Sequence, residues 1–245
     1  MGGLLALLYG VICYFIFFGS FLYAIAFVED LPVPKTINSG VAGAPVPSLL
    51  IDVVLLGIFA VQHSLMARPF FKKAWTKIVP QSIERSTYVL FASLALILLY
   101  WQWQPLPDPV WSVGGPLAPI LLTLSYAGFG IVLISTFLIS HFELFGLSQV
   151  FARFGNREHV QPQFGTPLFY KVVRHPIYLG FIVAFWAVPN MTQGHLLFSV
   201  ATTGYIIIGM LLEEHDLVGF FGDRYRSYRK EVPMIVPFTK WGAKR

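Results

Sequence analysis

The sequence predicts an all-α fold: a polytopic integral membrane helical bundle with five to six transmembrane helices, a C-terminal helical hairpin and both termini cytoplasmic. Three observations predict it. Of 245 residues, 56% are hydrophobic and only 12% are charged. That is about half the charge of an average soluble domain, too little to clothe a globule of this size in a water-compatible surface. Apolar runs close to the roughly 20 residues that cross a bilayer recur along the chain. The 17 Lys and Arg residues are also segregated, 16 of them falling in three segments that separate or follow these runs. Disorder, collagen and disulfide scaffolds are excluded, because aromatics make up 16% of the chain, glycine has no strict period and Cys13 is the single cysteine. Cysteine-based metal clusters fall with them.

The first span is expected over Leu4 to Val28. No Lys or Arg precedes it and no cleavage signature ends it, so it reads as a retained helix and not a signal peptide. Further spans are expected over Ser48 to Ala67, Ser86 to Trp103 and Leu117 to Ser140. Two shorter runs, Ile177 to Pro189 and His195 to Leu212, are joined across Pro189 to Gly194 and read as a hairpin. Thirteen helical residues rise about 20 Å, less than a hydrocarbon core of about 30 Å, so sequence leaves open whether the first arm crosses. The whole is expected to be a single membrane domain over 1–245, with residues 1–47 giving the first span and an extracytoplasmic loop, 48–140 spans two to four, and 141–245 a ligand-binding region with hairpin and interfacial tail.

Sidedness follows from the basic residues. Arg68, Lys72, Lys73, Lys77 and Arg85 follow span two, and Arg153, Arg157, Lys171 and Arg174 follow span four. The tail holds Arg224, Arg226, Arg229, Lys230, Lys240, Lys244 and Arg245. By the positive-inside rule these segments face the cytoplasm, which the expected bacterial inner-membrane location makes the side of any active site. The formal charge of +5 is thus read as topology, and no nucleic-acid partner is expected. In the tail, Asp223 to Lys230 mixes Tyr with Arg, which suits an interfacial amphipathic segment better than nucleic-acid binding.

Ionisable residues at span ends are costly and become site candidates. Span two ends in Gln62-His63-Ser64, span four in His141-Phe142-Glu143, span six in Glu213-Glu214-His215-Asp216, and the hairpin opens with Arg174-His175-Pro176. Pro176 suits the first helical position and disfavours a helical His175. The N–H groups of that helix end, beside Arg174, suit a carboxylate or phosphate. Gly180 would let a ligand approach the helix closely, and the Glu213–Glu214 pair suits a cation, so a zwitterionic or cationic ligand fits the set. The competing reading is a capped hairpin with a salt bridge from Arg174 to a glutamate. His63 alone reads more readily as a hydrogen-bonded packing residue than as a ligand. No HExxH or other helical metal spacing links His63, His141 and His175, and no metal is expected.

Arg174-His175-Pro176-Ile177-Tyr178, a hydrophobic hairpin and then Glu213-Glu214 together resemble the signature of integral-membrane methyltransferases that act on isoprenylcysteine carboxylates and phospholipid amines. The spacer here is somewhat longer, and Gly209 stands where those families carry Ala or Met. QHSLMARPFFK at Gln62 to Lys72, ERSTYVL at Glu84 to Leu90 and HFELFGLSQVF at His141 to Phe151 resemble the nurim and NnrU-like family, and most closely its bacterial methanethiol S-methyltransferases. The resemblance covers about residues 50 to 238 and leaves the first helix uninformative. It implies S-adenosylmethionine as cofactor, methanethiol as the small thiol substrate and dimethyl sulfide as product. It also implies that Arg174, His175, Pro176, Tyr178, Gly180, Glu213 and Glu214 hold the cofactor, with Glu214 at its amine or orienting nearby basic groups. His141, then His63, are the candidates for the base that deprotonates the thiol, because both lie in the nurim-branch motifs. Two alternatives stay open: another methyl acceptor, such as a lipid amine or prenylcysteine, and a non-catalytic nurim or NnrU-type membrane protein. Oligomeric state is not legible.

Overall fold

The structure is a computed structural model, and it describes residues 2–160 and 164–239. Lys240, Lys244 and Arg245, counted above among the basic tail residues, lie outside the described residues. Among the described residues ten α-helices follow in chain order: α1 (Gly3–Val28), α2 (Pro45–Ala67), α3 (Pro69–Trp75), α4 (Gln81–Gln102), α5 (Leu117–Ile139), α6 (His141–Leu144), α7 (Leu147–Phe154), α8 (Pro176–Trp186), α9 (Gln193–Phe221) and α10 (Asp223–Glu231), with a short 3-10 helix over Leu168–Lys171 between α7 and α8. Strands β1 (Pro109–Ser112) and β2 (Asn190–Thr192) form a two-stranded sheet. Helices α1, α2, α4, α5 and α9 are long and apolar enough to cross a membrane, and the protein is an integral membrane protein.

The expected spans are all present, with two differences. Helix α4 begins at Gln81, a turn earlier than its apolar run, because Ser82, Glu84 and Arg85 extend the helix with polar side chains after Pro80. Helix α9 runs 29 residues where sequence hydropathy ends at Leu212. Glu213 and Glu214 therefore lie inside a helix and not at its end. Helix α8 has 11 residues, about 16 Å of rise, and stops well short of a hydrocarbon core.

The described residues fall into two compact units. The first takes in residues 1–110, 140–162 and 192–197. Within it α1 packs on α4 and α7, and α2 packs on α4. Ala6, Ile83, Leu147 and Val150 form one buried cluster and Met66, Tyr88 and Val89 another. The three nurim-branch motifs meet here. Arg85 donates from Nε to the Leu144 carbonyl at 2.9 Å, and Ser86 donates to the Gly146 carbonyl at 3.3 Å. Gly146 is at φ 85°, and a Cβ there would stand 2.6 Å from Ser86 Oγ and 2.7 Å from its nitrogen. Only glycine satisfies both the left-handed backbone and the close approach of α4.

The second unit takes in the described residues of 111–139, 164–191 and 198–239. Its centre is the crossing of α5 and α8. A Cβ on Gly128 would meet the Gly180 carbonyl and the Ala184 nitrogen at 2.6 Å, and a Cβ on Gly180 would meet the Gly128 carbonyl at 2.6 Å. Ser125 donates across the crossing to the Ala184 carbonyl at 2.7 Å. Small residues letting two backbones touch, with a hydroxyl as the polar link, is how helices associate where no hydrophobic force distinguishes helix from lipid. Gly180 is thus occupied by α5, and its missing side chain serves helix packing where a ligand approach was expected.

Candidate active site

In the second unit Arg174 and His175 end an extended approach to α8. Backbone N–H groups of Arg174 and His175 donate to the carbonyls of Pro233 at 2.9 Å and Met234 at 3.2 Å, so the segment after α10 lies along them as a strap. Pro176 opens α8 at the first helical position, and His175 before it lies outside the helical region at φ −124°, ψ 64°.

The side chains converge on α9. Arg174 is buried, and its Nε and Nη2 both reach Glu214 Oε1 at 2.6 Å. Its Nη1 donates to the carbonyls of Val232 and Arg229. Glu214 is buried as well, with its Oε2 3.1 Å from Arg229 Nε and its Oε1 3.3 Å from His175 Nε2. A buried charge is tolerated when it is paired: Glu214 Oε1 takes the hydrogen bonds, and Oε2 meets Arg229 as an ion pair. Arg174 and Glu214 therefore lock α8, α9 and the strap to one another. Of the two readings weighed from sequence, the salt bridge from Arg174 to a glutamate is present, with Glu214 as its partner.

Glu213 is the outward member of the pair. Its side chain is 42% exposed, it accepts from Tyr178 Oη at 2.9 Å, and His175 Nδ1 stands 3.8 Å away. The helix puts consecutive residues about 100° apart, so Glu214 turns into the protein while Glu213 faces outward. Arg174, His175, Pro176, Tyr178, Glu213 and Glu214 are thus brought together. Sequence alone missed the strap residues Arg229 and Val232, whose contacts depend on the chain returning after α10.

The tail is amphipathic, its tyrosines turned to the protein and its charged residues exposed. Tyr225 is 2% exposed, Phe164 meets the rings of Tyr225 and Tyr228 edge-on, and Arg224 stacks over Phe164. Tyr228 donates to the Tyr170 carbonyl. The tyrosines face the protein because they carry the strap. Burial raises the hydroxyls of Tyr170 and Tyr225 above the usual phenol range and that of Tyr228 to about 12, so all three stay protonated donors.

The two candidate bases lie in the first unit. His141 is 4% exposed, and its Nε2 is 2.9 Å from Tyr14 Oη. Burial lowers its pKa, which favours the neutral imidazole. His63 hydrogen-bonds Tyr88 Oη from Nε2 at 2.9 Å and stacks on Phe59. The two histidines share an aromatic wall: His141 meets Phe145 edge-on at 4.8 Å, Phe145 stacks on Phe17 at 3.8 Å, and both phenylalanines pack against the cluster containing Tyr88. Nothing in the sequence pointed to Tyr14, which sits in an otherwise uniform apolar helix. Among the described residues no group of three His, Cys, Asp or Glu side chains could hold a metal.

A multi-span apolar bundle with this RHPIY and Glu-pair cluster defines the class of integral-membrane methyltransferases. Comparison with known proteins narrows it. The chain is 55% identical over 237 residues to methanethiol S-methyltransferase 1 of Bradyrhizobium diazoefficiens, covering 96% of this chain and 83% of that one. It is 50% identical over 235 residues to methanethiol S-methyltransferase of Mycobacterium tuberculosis, covering 96% of each chain. It is 29% identical to nurim of Xenopus laevis over 214 residues, 82% of this chain and 74% of that one. The chain belongs to the methanethiol S-methyltransferase family. No family model matches the sequence, and no solved structure matches it.

Proposed function

We propose that this enzyme transfers the methyl group of S-adenosylmethionine to methanethiol, releasing dimethyl sulfide, at the cytoplasmic side of a bacterial inner membrane. Near-full-length identity of about half to proteins named for that activity carries the reading. The residues fit the cofactor chemically. An exposed carboxylate, Glu213, is held in place by a neutral phenol and suits a cationic group, while the positive end of α8 suits a carboxylate. S-adenosylmethionine supplies an activated methyl group on a positively charged sulfur.

The chain's own residues then have distinct tasks. Glu213 and Tyr178 would contact the cofactor with His175 beside them, and Arg174 with Glu214 would hold this set at fixed geometry, the protein's main contribution to an in-line displacement. Gly180 and Pro176 set the position and start of α8. A thiol is a poor nucleophile until deprotonated. We assign the proton acceptor to His141 in preference to His63, because His141 follows the end of α5 whereas His63 lies within the membrane-spanning helix α2.

Membranes containing the protein, supplied with methyl-labelled S-adenosylmethionine and methanethiol, should release labelled dimethyl sulfide. A lipid amine or a prenylated cysteine offered in place of methanethiol should yield no labelled product. Purified, cofactor-binding protein that makes no dimethyl sulfide would refute the assignment.

A further inference from the structure

We propose that Lys72 and Arg85 bind the phosphate of an anionic phospholipid head group where α3 links α2 to α4, within the first unit. This goes beyond the methyl transfer and does not depend on its acceptor. The two residues lie in the QHSLMARPFFK and ERSTYVL motifs, and neither has a task in the proposed function. Residues 68–80 leave one span at Ala67 and enter the next at Gln81, so both of their ends are tethered at a membrane surface. They carry Arg68, Lys72, Lys73 and Lys77 and no Asp or Glu.

Helix α3 has two sides. Phe71 and Trp75, one turn apart, stack at 5.7 Å and pack against the cluster of Met66, Tyr88 and Val89. That seats α3 on α2 and α4 and leaves Phe70, Lys73, Lys77 and Ile78 exposed. Exposed apolar side chains beside lysines suit the boundary of acyl chains and head groups, where the first are buried and the second meet charge. Lys72 lies between the two sides, half-buried. Arg85 is fixed: its Nε donates to the Leu144 carbonyl at 2.9 Å, and its guanidinium stands 5.2 Å from the centre of the Tyr88 ring. Its two Nη groups have no acceptor among the described residues. Neither Lys72 nor Arg85 makes an ion pair among the described residues, although Glu84 is within electrostatic reach of Lys72. Burial and then the Arg85 guanidinium lower the pKa of Lys72, with Glu84 opposing them and Arg68 adding to them. Lys72 and Arg85 are thus like charges held near one another without a carboxylate on either, a cost that a shared anion removes. A guanidinium with an open Nη edge is shaped for phosphate oxygens. Inorganic phosphate has the same chemistry, but the exposed Phe70 and Ile78 favour a phosphate that carries acyl chains.

Native mass spectrometry of the detergent-solubilised full-length protein, titrated with phosphatidylglycerol or phosphatidylcholine, tests the site by the Kd of the first bound lipid. Wild type should bind phosphatidylglycerol more tightly than phosphatidylcholine, whose choline cation the basic segment repels. A Lys or Arg near a membrane surface strengthens attraction to anionic lipid about fivefold. Lys72→Gln should therefore raise the Kd for phosphatidylglycerol about fivefold and leave that for phosphatidylcholine unchanged, while Lys72→Arg should keep the wild-type value. Arg85→Gln should raise it at least as much. If that variant does not fold without its bond to Leu144, the two Lys72 variants decide by themselves. Arg153→Gln, which removes one exposed charge from α7, is the equal-charge control and should raise the Kd clearly less than Lys72→Gln. Equal affinity of wild type for the two lipids, no effect of Lys72→Gln, or an equal effect of Arg153→Gln would overturn the site. Inorganic phosphate that displaces phosphatidylglycerol at an equal concentration would assign the residues to a soluble anion and overturn the lipid.

Discussion

Glu214→Ala should be the most damaging single change in the hairpin. Glu214 is 3% exposed, and its carboxylate meets Arg174 twice at 2.6 Å and Arg229 once at 3.1 Å. Truncation leaves the Arg174 guanidinium, itself buried, with only the Val232 and Arg229 carbonyls as acceptors. Removing one partner of a buried pair costs about 3–5 kcal/mol, because the remaining charge stays desolvated. That is a hundred-fold or larger shift in the folded population at about 1.4 kcal/mol per tenfold. The internal control is Asp223→Ala, which breaks the exposed Arg226–Asp223 pair and should cost less than about 1 kcal/mol. A third variant, Arg174→Met with Glu214→Leu, replaces both ions by apolar side chains and should recover most of the loss while abolishing cofactor binding. Equilibrium unfolding of the detergent-solubilised protein measures all three. A Glu214→Ala variant within 1 kcal/mol of wild type, or no worse than Asp223→Ala, would refute the buried lock.

Three further outcomes follow from the same geometry. Gly180→Ala pushes a methyl group into the Gly128 carbonyl and should destabilise by about 1–3 kcal/mol, read by the same unfolding assay, while Gly204→Ala, with open space around it, should be near neutral. Glu213→Gln removes an exposed charge and should leave stability almost unchanged while weakening S-adenosylmethionine binding by about 10- to 100-fold, the scale of one charged hydrogen bond, measured by calorimetry. Burial lowers the pKa of His141, so the unfolded chain binds a proton there more readily than the folded one. Its contribution to stability is therefore fully present above the ordinary histidine value of about 6.5 and is lost as pH falls from that value through the folded one. His141→Asn should flatten that acid-side decline in an unfolding-versus-pH series, and an unchanged profile would contradict the cause.

Much of the molecule was legible because a bilayer imposes strong rules on sequence. Any segment crossing hydrocarbon must be long and apolar and must satisfy its own backbone, so α1, α2 and α5 could be located within three residues of their starts and one of their ends. The cluster at the start of α8 was legible for a different reason: Pro176 constrains His175 locally, and Arg174 and Glu214 are charges that apolar surroundings tolerate only with partners. The end of α9 was not legible. Hydropathy stops at Leu212, while the helix continues to Phe221, because a backbone ladder can carry Glu214 once Arg174 neutralises it.

By itself, then, the sequence determined that this is a multi-span helical protein and which few polar residues could do chemistry, since composition and charge placement answer to solvent alone. Only the tertiary structure decided which member of the Glu pair is locked inside and which faces out, because that depends on the rotation of α9 against Arg174. It also decided that Gly180 admits a helix and that the tail tyrosines turn inward, both consequences of neighbours distant in the chain. The hydrogen bond between Tyr14 and His141 was decided in the same way: 127 positions separate the two residues, and only folding places Oη and Nε2 2.9 Å apart.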